Sequence, residues 1–299
     1  AGTHGDVELI RTEGLSIKID EIRELITRAA WAPSVGEYRV VVIEDADRLT
    51  ESAANALLKA IEEPGLRTVW LLCAPTLHDI LPTIRSRCRH VQLHTPSNND
   101  VAKFLVEKHQ ISPKMADFAA RVSQGHIGRA RHLATNEDVR NRRNAILSIP
   151  SQLNSVSAAY AAAAKLVELA NAESDAISEA LDEKEYEELS TALGKGNNKA
   201  LKELEKEQKS RATRITRDTL DGALLDLATF YRDVILVQAG NEGSLINAEL
   251  ADQINRMATN TQSQRTLAKM DAIMKARESL QRNGAPLLVM EALMCELIK

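Results

Sequence analysis

The chain has 299 residues, 44% hydrophobic, 27% charged and 3% aromatic, with a net charge of −4. That length implies two or three domains with cores built from Leu, Ile, Val and Ala, a balance that favours helices. The charge excludes a uniformly cationic nucleic-acid coat while leaving room for local basic patches. No apolar run approaches the roughly 18–20 residues of a membrane span. The start, AGTHGDVELI, lacks the basic region and apolar core of a signal peptide, so a cytoplasmic protein is expected. Three cysteines, Cys73, Cys88 and Cys295, lack CxxC spacing and form neither a zinc site nor a disulfide framework. Each reads as a small buried hydrophobe.

The first part of the chain alternates two periods. DVELIR (6–11) reads as a strand, and DEIRELITRAAW (20–31) as a helix with Ile22, Leu25, Ile26, Ala29 and Ala30 on one face. RVVVIE (39–44) is a continuous apolar run, as in a strand covered on both faces. TESAANALLKAIEE (50–63) is a helix stopped by Pro64-Gly65. TVWLLCA (68–74) is a second buried strand, LHDILPTIRS a short helical connection, and RHVQL (89–93) the last strand. The β-α-β-α-β-α-β order implies a parallel sheet with right-handed crossovers. After HTPSNND the strands stop. Residues 99–148 read as three or four short amphipathic helices, broken at SQGHIGRAR (123–131). Beyond about 150 the chain reads as helix throughout. Residues 173–209 are highly charged, with a turn at GKGNN (194–198). A long amphipathic helix follows at 215–239, and 265–280 and 285–298 form an antiparallel pair across RNG. The fold class is α/β followed by all-α, over expected domains 1–96, 97–149 and 150–299, with a charged insertion around 172–212.

The run VVVIEDADRLTESAANALLKAIEEPGLRTVWLLCAPTLHDILPTIRSRC (40–88) resembles the AAA+ module of bacterial DNA polymerase III clamp-loader subunits, most closely the delta-prime branch. SQGHIGRARHLA continues the resemblance through the lid, and LQRNGAPLLVMEALM is similar to the C-terminal collar. Residues 150–215 match nothing familiar. The resemblance implies an incomplete RecA-like parallel sheet, a helical lid and a helical collar. It also implies that the family's P-loop strand and zinc cysteines precede residue 1. No GxxxxGK[ST] occurs in this sequence, and GKGNNKA (194–200) lacks both the spacing and the preceding strand. No cofactor is expected in this chain. ATP and Mg²⁺ are expected on a neighbouring subunit, and zinc only in the preceding part.

Three motifs carry candidate chemistry. Glu44 and Asp45 end a strand where α/β sheets bind ligands, and paired carboxylates there suit Mg²⁺ and an attacking water. Active relatives show the order Asp-Glu. The swapped order displaces both contacts, so the pair reads as a vestigial nucleotide site. The alternatives are a site completed by the preceding P-loop, or plain solvated carboxylates. GHIGRAR carries Arg129 one position beyond the family's nucleotide-sensing arginine. Its other reading is Gly125 and Gly128 as punctuation, with Arg129 and Arg131 at the surface. Ser86-Arg87-Cys88 matches the clamp-loader SRC motif, which implies that Arg87 acts in trans on the γ-phosphate held by a neighbouring subunit. Guanidinium is always charged and binds phosphate bidentately. Ser86 then shapes the turn and Cys88 is its buried anchor. Arg85 and Arg89 read as flanking surface charges.

Arg211, Arg214 and Arg217 share a helix face, which reads as solvated beside the acidic 173–189 segment, or else as a contact for a phosphate backbone. The seven histidines show no metal spacing. The resemblance implies a non-motor subunit, without catalysis of its own, in a DNA polymerase III holoenzyme. Its expected partners are motor and delta-type subunits, with the sliding clamp and primer-template DNA met through the complex. A fragment of an ATP-hydrolysing motor subunit and a purely helical interaction scaffold are the rival readings.

Overall fold

The structure, a computed structural model, describes residues 4–12, 14–193, 198–241, 243 and 245–298. It divides into two compact units, Ala1–Gln92 with Ala180–Arg214, and Leu93–Glu179 with Ile215–Lys299. The turn expected at 194–198 falls, over 194–197, outside the described residues.

In the first unit three parallel strands, β1 (Val7–Ile10), β2 (Arg39–Ile43) and β3 (Thr68–Leu72), pair in the order β1-β2-β3. Val7 lies opposite Val40 and Val40 opposite Val69. Two helices, α1 (Ile19–Ala29) and α2 (Glu51–Glu62), form the crossovers. The Thr50 hydroxyl caps α2 by accepting from the Ala53 N–H at 3.3 Å, one of the orphan donors of a helix start. Ile22 and Leu25 of α1 and Ala53 and Leu57 of α2 close over Val41 and Ile43 in one apolar cluster. The alternation of a strand sends Val7, Leu9, Val69 and Leu71 to the other face, where all four are exposed. The sheet is therefore covered on one face, not on the two expected from the apolar run.

The strand expected at 89–93 does not form. Val91 is 71% exposed and Leu93 87%, so neither packs on a layer. A short parallel strand gains too little from pairing alone to hold without that packing. What precedes it is a single helical turn, α3 (Pro82–Arg85), anchored by the buried Ile84.

Asp6, just before β1, ties down the loop ahead of β2. Its carboxylate accepts from the N–H groups of Ser34 (2.5 Å), Val35 (2.7 Å) and Gly36 (2.6 Å), and from the Ser34 hydroxyl (2.8 Å). The backbone donors hold its carboxyl well below the usual carboxylate range. A depressed folded pKa contributes stability above the unfolded value, and that contribution disappears as pH falls toward the folded one. Asp6→Asn is expected to lower the unfolding midpoint at pH 7. Its gap to the wild type should narrow as pH falls below the ordinary value of 3.8, as urea titrations across pH 2–7 would show.

The second unit is helical. Helices α4 (Asn98–His109), α5 (Pro113–Ser123) and α6 (Ile127–Thr135) enclose Val101, Leu105, Ala119, Ala120 and Leu133. Helix α7 (Glu137–Gln152) carries Pro150 near its end. The long α8 (Val156–Leu193) and α9 (Asn198–Gln238), whose residues 180–214 count with the first unit, are followed by α10 (Ala251–Asn260), α11 (Ser263–Gln281) and α12 (Pro286–Ile298). Leu224, Leu227, Phe230 and Tyr231 of α9 meet Ile273 of α11 and Met290 and Met294 of α12 in the largest cluster. The expected α/β portion followed by helices is the architecture observed. No helix among the described residues is long and apolar enough to cross a membrane.

Candidate functional site

The carboxyl end of β2 is where the chain could meet a nucleotide. The Glu44 N–H extends the ladder to the Ile10 carbonyl at 2.9 Å, and the Ala46 N–H reaches the Cys73 carbonyl at 2.8 Å. Between them Asp45 adopts a left-handed backbone with φ 46°. The two carboxylates each meet a guanidinium of this chain. Asp45 Oδ2 lies 2.8 Å from Arg214 Nη2, and Arg214 Nη1 also donates to the Thr12 carbonyl. Glu44 Oε2 lies 3.6 Å from Arg11 Nε in a more exposed pair. Mg²⁺ takes oxygen ligands in near-octahedral array, and here a held guanidinium faces Asp45 while a largely exposed one lies beside Glu44. Asp47 is adjacent, with one buried carboxylate oxygen lacking a partner, and burial raises its pKa. Among the described residues no group of three or more His, Cys, Asp or Glu side chains could hold a metal ion. Both carboxylates of this edge are thus already paired within the chain, Asp45 closely and Glu44 through an exposed contact.

The arginine stripe on α9 is not a solvated face. Arg211 pairs with Asp182 (2.5 Å) and Glu185 (2.6 Å) of the acidic stretch, and its hydrogen bonds pull the Glu185 pKa down. Arg214 takes Asp45, and Arg217 donates to Asn283. The side chains of Arg211 and Arg214 are only 10% and 15% exposed. Nothing is left pointing outward for a phosphate backbone on the first two.

Arg87 follows α3 on the exposed side of the first unit. The Ser86 hydroxyl donates to the Thr83 carbonyl at 3.0 Å, closing the turn. Arg87 Nη1 donates to the same carbonyl at 2.9 Å and lies 3.2 Å from Ser86 Oγ, while Nε donates to Glu62 at the end of α2. The Arg87 side chain stays 37% exposed. Arg87 makes no contact with Glu44 or Asp45 among the described residues. Cys88 is exposed, and so is Cys73, with Cys295 half-buried. The expected buried anchor is instead Ile84, since no strand follows Cys88 to carry its side chain inward. Arg89 is exposed and Arg85 half-exposed, in keeping with flanking charges.

Arg129 belongs to the second unit. Its guanidinium pairs with Asp226, and its N–H donates to His126 Nδ1 at 3.1 Å. Arg131 is exposed. Gly125 ends α5 with φ +88°, and a Cβ there would lie 2.3 Å from Thr95 Cγ2 and 2.9 Å from the Pro96 carbonyl. Gly128, by contrast, sits inside α6 and punctuates nothing. Gly125→Ala is expected to cost at least about 1–2 kcal/mol from the left-handed backbone alone. A lowered unfolding midpoint, absent in Gly128→Ala, would show it.

Sequence reading alone did not single out Glu62, Arg11 or Arg214 as members of these sites. Glu62 lies within the AANALLKAIEEP run, but its partner is 25 residues on. Arg214 is 169 residues from Asp45, and no local pattern announces the pairing.

Comparison with known proteins gives the context. A family model described as DNA polymerase III, delta subunit, matches residues 1–97, and a second, for the C-terminal part of the DNA polymerase III delta subunit, matches residues 183–297. The second match begins inside the stretch expected to be an unfamiliar insertion. The DNA polymerase III subunit delta′ of Bacillus subtilis is 25% identical over 283 residues, 95% of this chain and 73% of that protein. The delta′ subunit of Pseudomonas aeruginosa is 40% identical over 90 residues, 29% of this chain and 27% of that protein. The gamma subunit of Buchnera aphidicola is 29% identical over 147 residues, 45% of this chain and 40% of that protein. The chain thus matches less than half the length of two of these three relatives. With both family models covering most of its length and the delta′ match running nearly end to end, the chain belongs to the DNA polymerase III delta-prime family.

Proposed function

We propose that this chain is a non-motor subunit of a replicative clamp loader, working in the cytoplasm, and that Arg87 reaches in trans to the γ-phosphate of ATP held by a neighbouring motor subunit. ATP-dependent assembly then opens a sliding clamp and places it on primed DNA. The observation that carries this reading is the contrast between two sets of charges. Arg87 is held on an exposed edge by Glu62 and Thr83, with Nη2 turned to no partner among the described residues. The chain's own carboxylates at the strand edge are matched by Arg11 and Arg214. A guanidinium available to a partner and strand-edge carboxylates already paired within the chain suit a subunit that assists hydrolysis next door.

The motor-subunit reading draws support from the likeness to a gamma subunit. The Arg214–Asp45 pair weighs against it, because a working metal site would have to displace a half-buried guanidinium. The test is DNA-stimulated ATP hydrolysis by a reconstituted clamp-loader complex carrying Arg87→Ala or, separately, Glu44→Gln in this subunit.

A further inference from the structure

We infer that Glu62 is a positioning residue for Arg87, fixing which edge of the guanidinium faces outward; this deepens the arginine-finger reading and rests on it. A guanidinium carries five N–H donors in a rigid fork. Here Nε–H is held by Glu62, and Nη1 by the Thr83 carbonyl and Ser86 Oγ. Nη2 is left without a partner among the described residues. The three holding groups come from two segments, each fixed by its own core anchor. Leu57, fully buried, seats α2 behind Glu62, and Ile84, 1% exposed, seats α3 behind Thr83 and Ser86. The fork is therefore held along its Nε–Nη1 side by one carboxylate, one carbonyl and one hydroxyl, which leaves Nη2 to a partner.

A carboxylate beside a finger could instead mask it. The side chains of Arg87 and Glu62 are 37% and 45% exposed, so their attraction is screened by water. A triphosphate with several charges competes well against one such carboxylate. It also needs only Nη2, which no contact has to release. Orientation is then the contribution that survives in the assembled complex, where small displacements of a reacting group are costly.

The experiment uses a reconstituted clamp-loader complex containing this subunit and follows ATP hydrolysis stimulated by primed DNA. Glu62→Ala is expected to lower kcat about five-fold while leaving KM for ATP unchanged, the pattern of a group acting in the transition state. Glu62→Gln keeps an oxygen that accepts Nε–H and should recover most of the rate. In an Arg87→Ala background, Glu62→Ala should cost nothing more. A Glu62→Ala rate equal to the wild type overturns the inference. So does a raised rate, which would mean masking, or an equal loss in the Arg87→Ala background, which would mean general damage. These outcomes count against Glu62 alone when Arg87→Ala is itself slow. An unaffected Arg87→Ala complex overturns the finger reading beneath it.

Discussion

Arg87→Ala is expected to slow the DNA-stimulated ATPase of a reconstituted clamp loader by at least about ten-fold, the lower side of what trans arginine fingers supply, which reaches 10³–10⁵. The loss should fall on kcat, because a finger stabilises charge that develops as the phosphoryl group transfers, not charge already present in bound ATP. Folding does not confound the measurement. The contacts Arg87 makes with Glu62 and Thr83 are exposed, and an exposed ion pair is worth about 0–1 kcal/mol. The variant subunit should therefore unfold within a few degrees of the wild type and still assemble. Arg87→Lys should rescue poorly, since a point charge cannot hold Glu62 through Nε while presenting a second donor outward. Glu44→Gln separates the rivals. If this chain hydrolyses ATP itself, that change should reduce the rate, whereas a carboxylate merely facing Arg11 can lose its charge without consequence. An Arg87→Ala complex with a wild-type rate would leave the helical scaffold as the surviving account.

The parts of the fold that follow from local periodicity were legible in the sequence. The strands at 7–10, 39–43 and 68–72 and the two helices between them come from alternation, 3.6-residue spacing and breakers such as Pro64-Gly65. What failed depended on neighbours. The apolar run RVVVI cannot say whether one layer or two will cover it, and Val40 and Val42 lie on the less covered face. RHVQL has the pattern of a strand, yet Val91 and Leu93 find nothing to pack on. Cys88 was placed inside only because that strand was expected. At the candidate site the motif residues Ser86 and Arg87 were legible because they are contiguous. The chemistry of Asp45 was not, because the cation that answers it comes from α9. The α9 arginines were likewise misread as a solvated face, since their spacing reveals the shared face but not the carboxylates opposite.

The same dependence on distant partners governs the buried ionic network of the second unit, where two substitutions should differ in cost. Arg143 is 3% exposed at its side chain and donates through Nε to Asp226 at 3.0 Å, through Nη1 to Glu249 at 3.2 Å and through Nη2 to Asn247. Asp226 also receives Arg129. Asn247, fully buried, is fixed in turn by Asp233 at 2.8 Å and Thr229 at 3.2 Å. Removing one member of a buried pair is costly because the remaining charge cannot return to water. Asp226→Ala leaves Arg129 without its carboxylate and the almost wholly buried Arg143 with only the longer contact to Glu249. It is expected to cost about 3–5 kcal/mol. Arg143→Met leaves Asp226 with Arg129 and replaces the stem of the arginine with apolar volume beside Phe118. Its main debt is the unpaired Asn247 side-chain oxygen, at about 1–3 kcal/mol. The acid should therefore matter more than the base, the reverse of what their exposures alone suggest. Combining the two should cost less than their sum, since Arg143 is no longer there to be stranded. Urea unfolding of the two single variants and the double variant measures all three quantities. Equal costs for the single variants, adding without coupling, would mean that Asp226 and Arg143 do not share one network.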